Sequence, residues 1–281
     1  MDAPYARLEQ VEPGIARVLA HNPSAFTYFG TQTYLVGENE IAVIDPGPDL
    51  PEHLDALEQA IDGRKVAAIM CTHTHRDHSP AAAPLAKRTG ASIIGCAELA
   101  LESVGPRADA SFDCDYSPTC VLVDGDGVSV DGKRIVAVAT PGHTSNHLCY
   151  AYEGALFSGD HVMGWSTTVV VPPDGDMAAY MQSLEKLRQR DDRIYYPAHG
   201  EPVIKPRQYV RSLIGHRMQR ERQIFKLVGE KPRSVPDIVV NAYPSLDRRL
   251  VAAAGGSVLA HLVDLQRRGL VEQEGDLWAA V

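Results

Sequence analysis

The stretch that decides the reading is Val66-Ala67-Ala68-Ile69-Met70-Cys71, followed at once by Thr72-His73-Thr74-His75-Arg76-Asp77-His78. A continuous apolar run of this kind predicts a strand buried on both faces, and the polar cluster begins where the run stops. Residues two apart on an extended backbone point the same way, so His73, His75 and Asp77 converge on one side and His78 turns in beside them. A helical metal site would need ligands at i and i+4 instead. Packing does not explain four ligand-type side chains in six residues. Imidazole with carboxylate suits zinc, with iron or manganese as options.

Working outward, the same arrangement recurs three times. His143 follows the run RIVAVAT within TPGHTSNH, Asp160 follows ALFSG, and His199 follows IYYPA. Each is a ligand type directly after an apolar run, which places all of them on one edge of the sheets. Seven convergent ligands suffice for two cations.

The flanking segments supply the frame. GTQTYLVG (30–37) and EIAVIDPG (40–47) read as neighbouring strands bounded by Gly and Pro. Leu50, Leu54, Leu57 and Ile61 recur at helix spacing. Ser79 before Pro80 predicts an N-cap and first-turn proline for a helix ending before Gly90, and ASIIG (91–95) the next strand. After a polar, irregular stretch around 103–118 come the short strands CVLVDG, GVSV, RIVAVAT, HLCYAY and ALFSGD. Met177, Tyr180, Met181, Leu184 and Leu187 share one face of a helix over 177–190, capped by Asp174 or Asp176. RIYYPAHG closes the first body. Two sheets covered by helices is the architecture this order implies.

Charge divides the chain. Its 281 residues carry 36 acidic and 27 basic side chains, a net −9. Positions 1–204 hold 14 basic against 28 acidic residues, whereas positions 205–281 hold 13 against 8, so a body at −14 precedes a tail at +5. The expected domains are therefore 1–204 and 205–281. The tail reads as an amphipathic helix (208–228), further helical segments, and VEQEGDLWAAV folded on a Glu274-Gly275-Asp276 turn, a winged-helix-like pattern. Val258 to Arg268, ending in two arginines, is the candidate recognition helix; a helical cap or a lobe that makes a homodimer accounts for the same residues equally well. The average composition excludes disordered, collagenous and coiled-coil classes. No apolar run approaches the ~20 residues of a membrane span. MDAPYARLEQVEPG has neither the basic start nor the apolar core of a secretory signal, so the cytoplasm is the expected location. Five unclustered cysteines support neither a disulfide framework nor a structural zinc site.

The HxHxDH pattern with the later His143, Asp160 and His199 resembles the metallo-beta-lactamase superfamily over roughly residues 14–204. NPSAFTYFGTQTYLVG, the strand ending IDPGP and the helical tail resemble its beta-lactamase-like branch, which includes single-strand-specific ribonucleases. The resemblance implies an αββα four-layer sandwich and two zinc ions. His73, His75 and His143 would hold the first, Asp77, His78 and His199 the second, and Asp160 would bridge them. Asp77 could also orient the nucleophile. Asp45 is read as a group that holds a ligand from behind, or equally as a turn residue before Pro46-Gly47. Tyr28, Phe29, Trp165, Ser166 and Tyr180 are candidates for the substrate cleft; His147 and His161 read as structural histidines.

Departures narrow the chemistry. Asp160 stands where three-histidine, one-cysteine lactamase sites carry Cys, which disfavours an antibiotic-specialised enzyme. His75 stands where diiron oxygen reductases of the superfamily carry Glu, which favours hydrolysis over redox chemistry; persulfide dioxygenases share part of the constellation. The expected function is a binuclear zinc hydrolase attacking an ester, lactone, thioester or amide bond of a small-molecule substrate. Single-stranded RNA is the alternative substrate, drawing on the basic tail. A nucleic-acid-binding regulator with a metal-sensing body is the rival of another class.

Overall fold

In the computed structural model, which describes residues 3–99 and 112–281, the run at 66–71 is an inner strand of a seven-stranded sheet. That sheet runs in chain order: β1 (Leu8–Glu12), β2 (Ile15–Leu19), β3 (Gln32–Val36), β4 (Glu40–Ile44), β5 (Lys65–Cys71), β6 (Ile93–Gly95) and β7 (Cys120–Val121). β1 to β4 pair antiparallel and β4 to β7 parallel. Parallel neighbours need crossover connections, which α1 (Pro51–Ile61) and α2 (Ala82–Thr89) supply. β1 and β2 escape a reading by periodicity. LEQVE is a half-exposed, largely polar edge strand and IARVL is only five residues long.

The second sheet has the order β12-β11-β10-β9-β8, formed by β8 (Gly127–Val130), β9 (Lys133–Ala139), β10 (Leu148–Tyr152), β11 (Ala155–Gly159) and β12 (Ile194–Pro197). Its strands alternate between two cores. Ile135, Ala137, Tyr150, Phe157 and Tyr196 join the core shared with the first sheet, while Val138, Cys149, Leu156 and Tyr195 face α3 (Met177–Arg188) and α4 (Pro206–Glu230). Both faces are covered, so these strands read as unbroken apolar runs. With α1 and α2 on the first sheet and α3 and α4 on the second, the expected αββα sandwich is complete.

Local signals held in part. Asp176 caps α3, its carboxylate accepting from the Ala179 N–H at 2.9 Å, and Gly90 ends α2 in the left-handed region. Ser79 does not cap α2. The helix starts at Ala82, and the Ser79 hydroxyl instead donates to Asp113 Oδ2 at 2.7 Å, a carboxylate acceptor brought in from another loop. The irregular stretch expected at 103–118 lies outside the described residues as far as 111.

The tail packs as a second, smaller body: α5 (Val235–Ala242), α6 (Val251–Arg267), and a three-stranded wing of β13 (Arg233–Ser234), β14 (Val271–Glu274) and β15 (Leu277–Ala280). Its hairpin turns on Gly275-Asp276 alone, since Glu274 already pairs with Leu277. The 25-residue α4 serves two cores: Val210 and Leu213 pack with α3, whereas Ile224 and Val228 pack with α5, α6 and Trp278 of the wing. Gly255-Gly256 does not break α6. A Cβ on Gly256 would lie 2.6 Å from a methyl of Val171, so the helix needs glycine there to approach the first body. The arginines that end the candidate recognition helix are engaged within the chain. Eight side chains of α6 are buried, Arg267 pairs with Asp176 of α3, and Arg268 pairs with Glu221 at 2.6 Å and Asp264 at 3.1 Å. Among the described residues no helix is long and apolar enough to cross a membrane.

Candidate metal centre

Four strands end on one edge of the sandwich and deliver seven side chains there: β5 brings His73, His75, Asp77 and His78, β9 brings His143, β11 brings Asp160 and β12 brings His199. His75 Nδ1 lies 2.9 Å from His73 Nε2 and 3.1 Å from His143 Nε2. On the other side His199 Nε2 lies 3.1 Å from Asp77 Oδ2, and His78 Nε2 lies 3.3 Å from the same oxygen. Asp160 turns one oxygen to each group. Its Oδ1 is 3.2 Å from His199 Nε2, and its Oδ2 is 3.7 Å from His143 Nε2. The donor atoms thus form two sets, His73-His75-His143-Asp160 and Asp77-His78-His199, each gathered within 4.8 Å.

Groups behind the ligands fix which ring nitrogen faces the centre. His143 Nδ1 donates to the Val169 carbonyl at 2.7 Å and His199 Nδ1 to the Gly30 carbonyl at 3.1 Å. A carbonyl can only accept, so the proton sits on Nδ1 and Nε2 is free to ligate. Asp45 does the same for two histidines. Its Oδ2 accepts from His78 Nδ1 at 3.0 Å and from the Thr72 hydroxyl at 2.8 Å, and that hydroxyl oxygen in turn accepts from His73 Nδ1 at 3.0 Å. The Thr72 N–H donates to Asp45 Oδ1 at 2.7 Å. Asp45 is buried and left-handed, with φ 49°, a conformation that its hydrogen bonds hold in place. It is therefore more than a turn residue.

Asp160 is placed by its neighbours. Its N–H donates to His147 Nε2 at 3.3 Å, and His147 Nδ1 lies 2.9 Å from Thr140 Oγ1. Gly159 makes this approach possible. At φ 50° a Cβ there would meet Thr72 Oγ1 at 2.7 Å and His147 Nε2 at 2.8 Å.

Burial holds His73 well below the ordinary imidazole range and pushes His75 down to about 3, with neighbouring imidazoles adding to both effects. Burial would raise Asp77 and Asp160, but the facing His78 and His199 outweigh it and hold both carboxyls well below their usual range. The carboxylates reciprocate: against burial they hold His78 well above its ordinary value and push His199 up to about 10. The seven donors fit divalent transition cations by type. A further observation agrees: His78 Nε2 and Asp160 Oδ1 are buried without a hydrogen-bond partner of good geometry, the condition that ligation would relieve.

Residues 27–199, more than half of the chain, match the family described as the metallo-beta-lactamase superfamily. The chain belongs to that superfamily. Residues 234–278 match the beta-lactamase associated winged helix domain, which is the second body. Membership together with the thioesterase-named relatives makes the protein a hydrolase of a metal-dependent superfamily. Among similar proteins, the Beta-lactamase-like protein 2 homolog of Drosophila melanogaster is 32% identical, over 91% of this chain and 88% of its own length. The Atrochrysone carboxyl ACP thioesterase of Aspergillus chevalieri is 32% identical over 81% of this chain and 70% of its own. A Beta-lactamase domain protein from Burkholderia ambifaria superposes over 100% of this chain and 95% of its own, at TM-score 0.82 and 22% identity, a likeness of fold.

Within this superfamily site, the cleft candidates separate. Tyr28 stacks on Trp165 with ring centroids 4.9 Å apart. Trp165 and Ser166 line a cavity between the two bodies, while Tyr28 and Phe29 line a different one beside Gly30 and Gly200. Tyr180 lines neither. It is fully buried and its hydroxyl donates to the His161 carbonyl at 3.2 Å, because the apolar face of α3 packs inward. His161 is buried against its ring. Periodicity does not reveal Thr31, whose hydroxyl donates to Asp77 Oδ2 at 3.2 Å, nor Thr72 or Gly159. Adjacency to the motif was the one signal for Thr72.

Proposed function

We propose that this protein is a binuclear zinc hydrolase that cleaves a thioester of a small-molecule acid. The observation that carries the binuclear reading is Asp160, with one carboxylate oxygen turned to each ligand set. The thioester bond is supported by the Aspergillus chevalieri thioesterase, similar over 81% of the chain. Two cations held there would supply hydroxide at neutral pH and polarise the carbonyl under attack.

The chain's own residues do the rest. Asp77 is the most accessible ligand, with a quarter of its side chain exposed, and the Thr31 hydroxyl steadies its Oδ2. Held ionised, Asp77 accepts a hydrogen bond from the attacking water and orients it toward the acyl carbon. Hydrolysis forms a C–O bond to that carbon and breaks the C–S bond; the sulfur leaves with a proton from the water, and the acid is released. His78 and His199, tied by Asp45 and the Gly30 carbonyl, keep Asp77 in register.

A second reading, cleavage of single-stranded RNA, draws on the exposed Phe26, Tyr28 and Phe29 beside the site, which offer faces for base stacking. The tail's charge argues for it less than its sum suggests. Arg233, Arg249, Arg267 and Arg268 are all ion-paired within the chain.

The test is a metal-loaded panel of thioester, lactone, beta-lactam and single-stranded RNA, with Asp77→Ala as control. Thioester turnover lost in the control supports the proposal. RNA cleavage alone overturns it in favour of the second reading. Metal analysis after purification without chelator is expected to give about two transition metals per chain; fewer than one, with no gain of activity on adding zinc, overturns the binuclear reading.

A further inference from the structure

Between the two bodies lies a cavity of about 210 Å³, larger than the roughly 150 Å³ cavity that can hold benzene. Its walls are mostly apolar: Phe26, Met163 and Trp165 on one side, Tyr243, Leu246 and Ala254 on the other. One charged side chain lines it. Arg217 is 3% exposed, and among the described residues no carboxylate lies within ion-pair distance of its guanidinium. Its Nη2 donates to the Thr168 carbonyl, its guanidinium lies 5.2 Å from the Tyr180 ring centroid, and its Nε has no partner. His216, on the same wall, has a buried Nδ1 that is likewise unpartnered. A permanently charged group buried without a counter-charge is costly unless an anion completes it.

The cavity adjoins the metal centre through the segment after Asp160. Thr168 Oγ1 donates to the Asp160 carbonyl at 2.7 Å, and the Val169 carbonyl fixes His143. Both residues also line the cavity. The Thr168–Val169 segment is thus a wall that the metal centre and the cavity share.

We propose that this cavity is the acyl subsite and that Arg217, assisted by His216, binds a carboxylate at the far end of the acyl group. The substrate class is then a thioester of an acid bearing a second carboxylate. This rests on the thioesterase reading above. Burial and the adjacent Arg217 and Arg220 hold His216 below its ordinary range, so it offers a neutral ring and leaves the single fixed charge to Arg217. Arg217 also stands on the apolar stripe of α4 with Val210, Leu213, Ile224 and Val228. On that face the guanidinium is met by the Thr168 carbonyl and the Tyr180 ring, neither of which carries a counter-charge.

The experiment compares glutaryl and pentanoyl thioesters of one thiol, with the zinc-loaded full chain, in wild type, Arg217→Met and Ala254→Leu. Wild type is expected to favour the glutaryl substrate by about tenfold or more in kcat/KM, through KM. That ratio is expected to fall toward one in Arg217→Met, and KM for the glutaryl substrate to rise in the cavity-filling Ala254→Leu. Equal wild-type values, or a preference that survives Arg217→Met, overturn the proposal. Calorimetric binding of free glutarate separates the two readings. Glutarate binding to wild type but not to Arg217→Met, with neither thioester turned over, sinks the thioesterase reading and keeps the carboxylate site; turnover without glutarate binding or preference does the reverse. Should Arg217→Met not fold, the wild-type ratio, glutarate binding and Ala254→Leu still decide.

Discussion

Asp45 Oδ2 stands 3.0 Å from His78 Nδ1 and, through the Thr72 hydroxyl, also fixes His73, so one buried carboxylate orients a histidine of each donor set. Groups behind metal ligands typically matter by roughly 10- to 100-fold in metal affinity. Asp45→Asn keeps a residue that tolerates the left-handed backbone but removes the charge. Competition with a chelator is expected to show both sites weakened by about that factor. Loss at one site alone would contradict the shared role.

The two donor sets differ in the protons they carry. Burial keeps His73 and His75 unprotonated at pH 7, whereas Asp77 and Asp160 hold His78 above its ordinary range and His199 at about 10. A cation entering the second set must displace those protons, so its affinity falls as pH falls and rises as pH climbs toward 10. Titration near pH 6 is expected to fill the His73-His75-His143 set first. Calorimetry in two buffers of different ionisation enthalpy is expected to show proton release on the second binding step at pH 7. No release there would show that His78 and His199 are already neutral.

Gly159→Ala places a methyl against Thr72 Oγ1 and His147 Nε2 at a left-handed position. The strain alone costs on the order of 1–3 kcal/mol, and the segment that moves carries Asp160. The expected outcome is a lowered melting temperature together with fewer than two metals bound per chain. Full metal occupancy in the variant would detach Asp160 placement from Gly159.

Arg267 and Asp176 meet at the surface between the bodies, yet Asp176 has a second task as the cap of α3. An exposed ion pair contributes about 0–1 kcal/mol, whereas a lost N-cap costs about 1 kcal/mol and up to 2. Asp176→Ala is therefore expected to destabilise more than Arg267→Ala in urea denaturation. Equal losses would mean the cap contributes little.

The seven convergent side chains were legible because each follows an apolar run, and a strand end is visible in sequence. What lies behind them was not. Thr31 reaches Asp77 across 46 positions, and Asp45 reaches Thr72 across 27; such contacts exist only once the strands are side by side. The sandwich was likewise legible from strands apolar on both faces, while the half-polar edge β1 was not. The ion pairs of the basic tail were not legible either. The arginines ending α6 suggested a groove-reading helix, but their carboxylate partners Asp176 and Glu221 come from other elements. Tyr180 shows the same limit: its helical face was read correctly, and burial of that face is what keeps it out of the cleft.

The division of α4 between two cores has a consequence for how the wing could be exchanged. Cutting after residue 204 would strip Val210 and Leu213 from α3, and cutting after 230 would strip Ile224 and Val228 from the wing. A tolerable graft point lies inside the helix, near the exposed Gly215, where an added side chain meets nothing within 4 Å. A chimaera joined there keeps each half-helix with the core it fills, although Arg217 then travels with the wing. The acid preference of a hybrid enzyme would follow its tail and not its metal-bearing body.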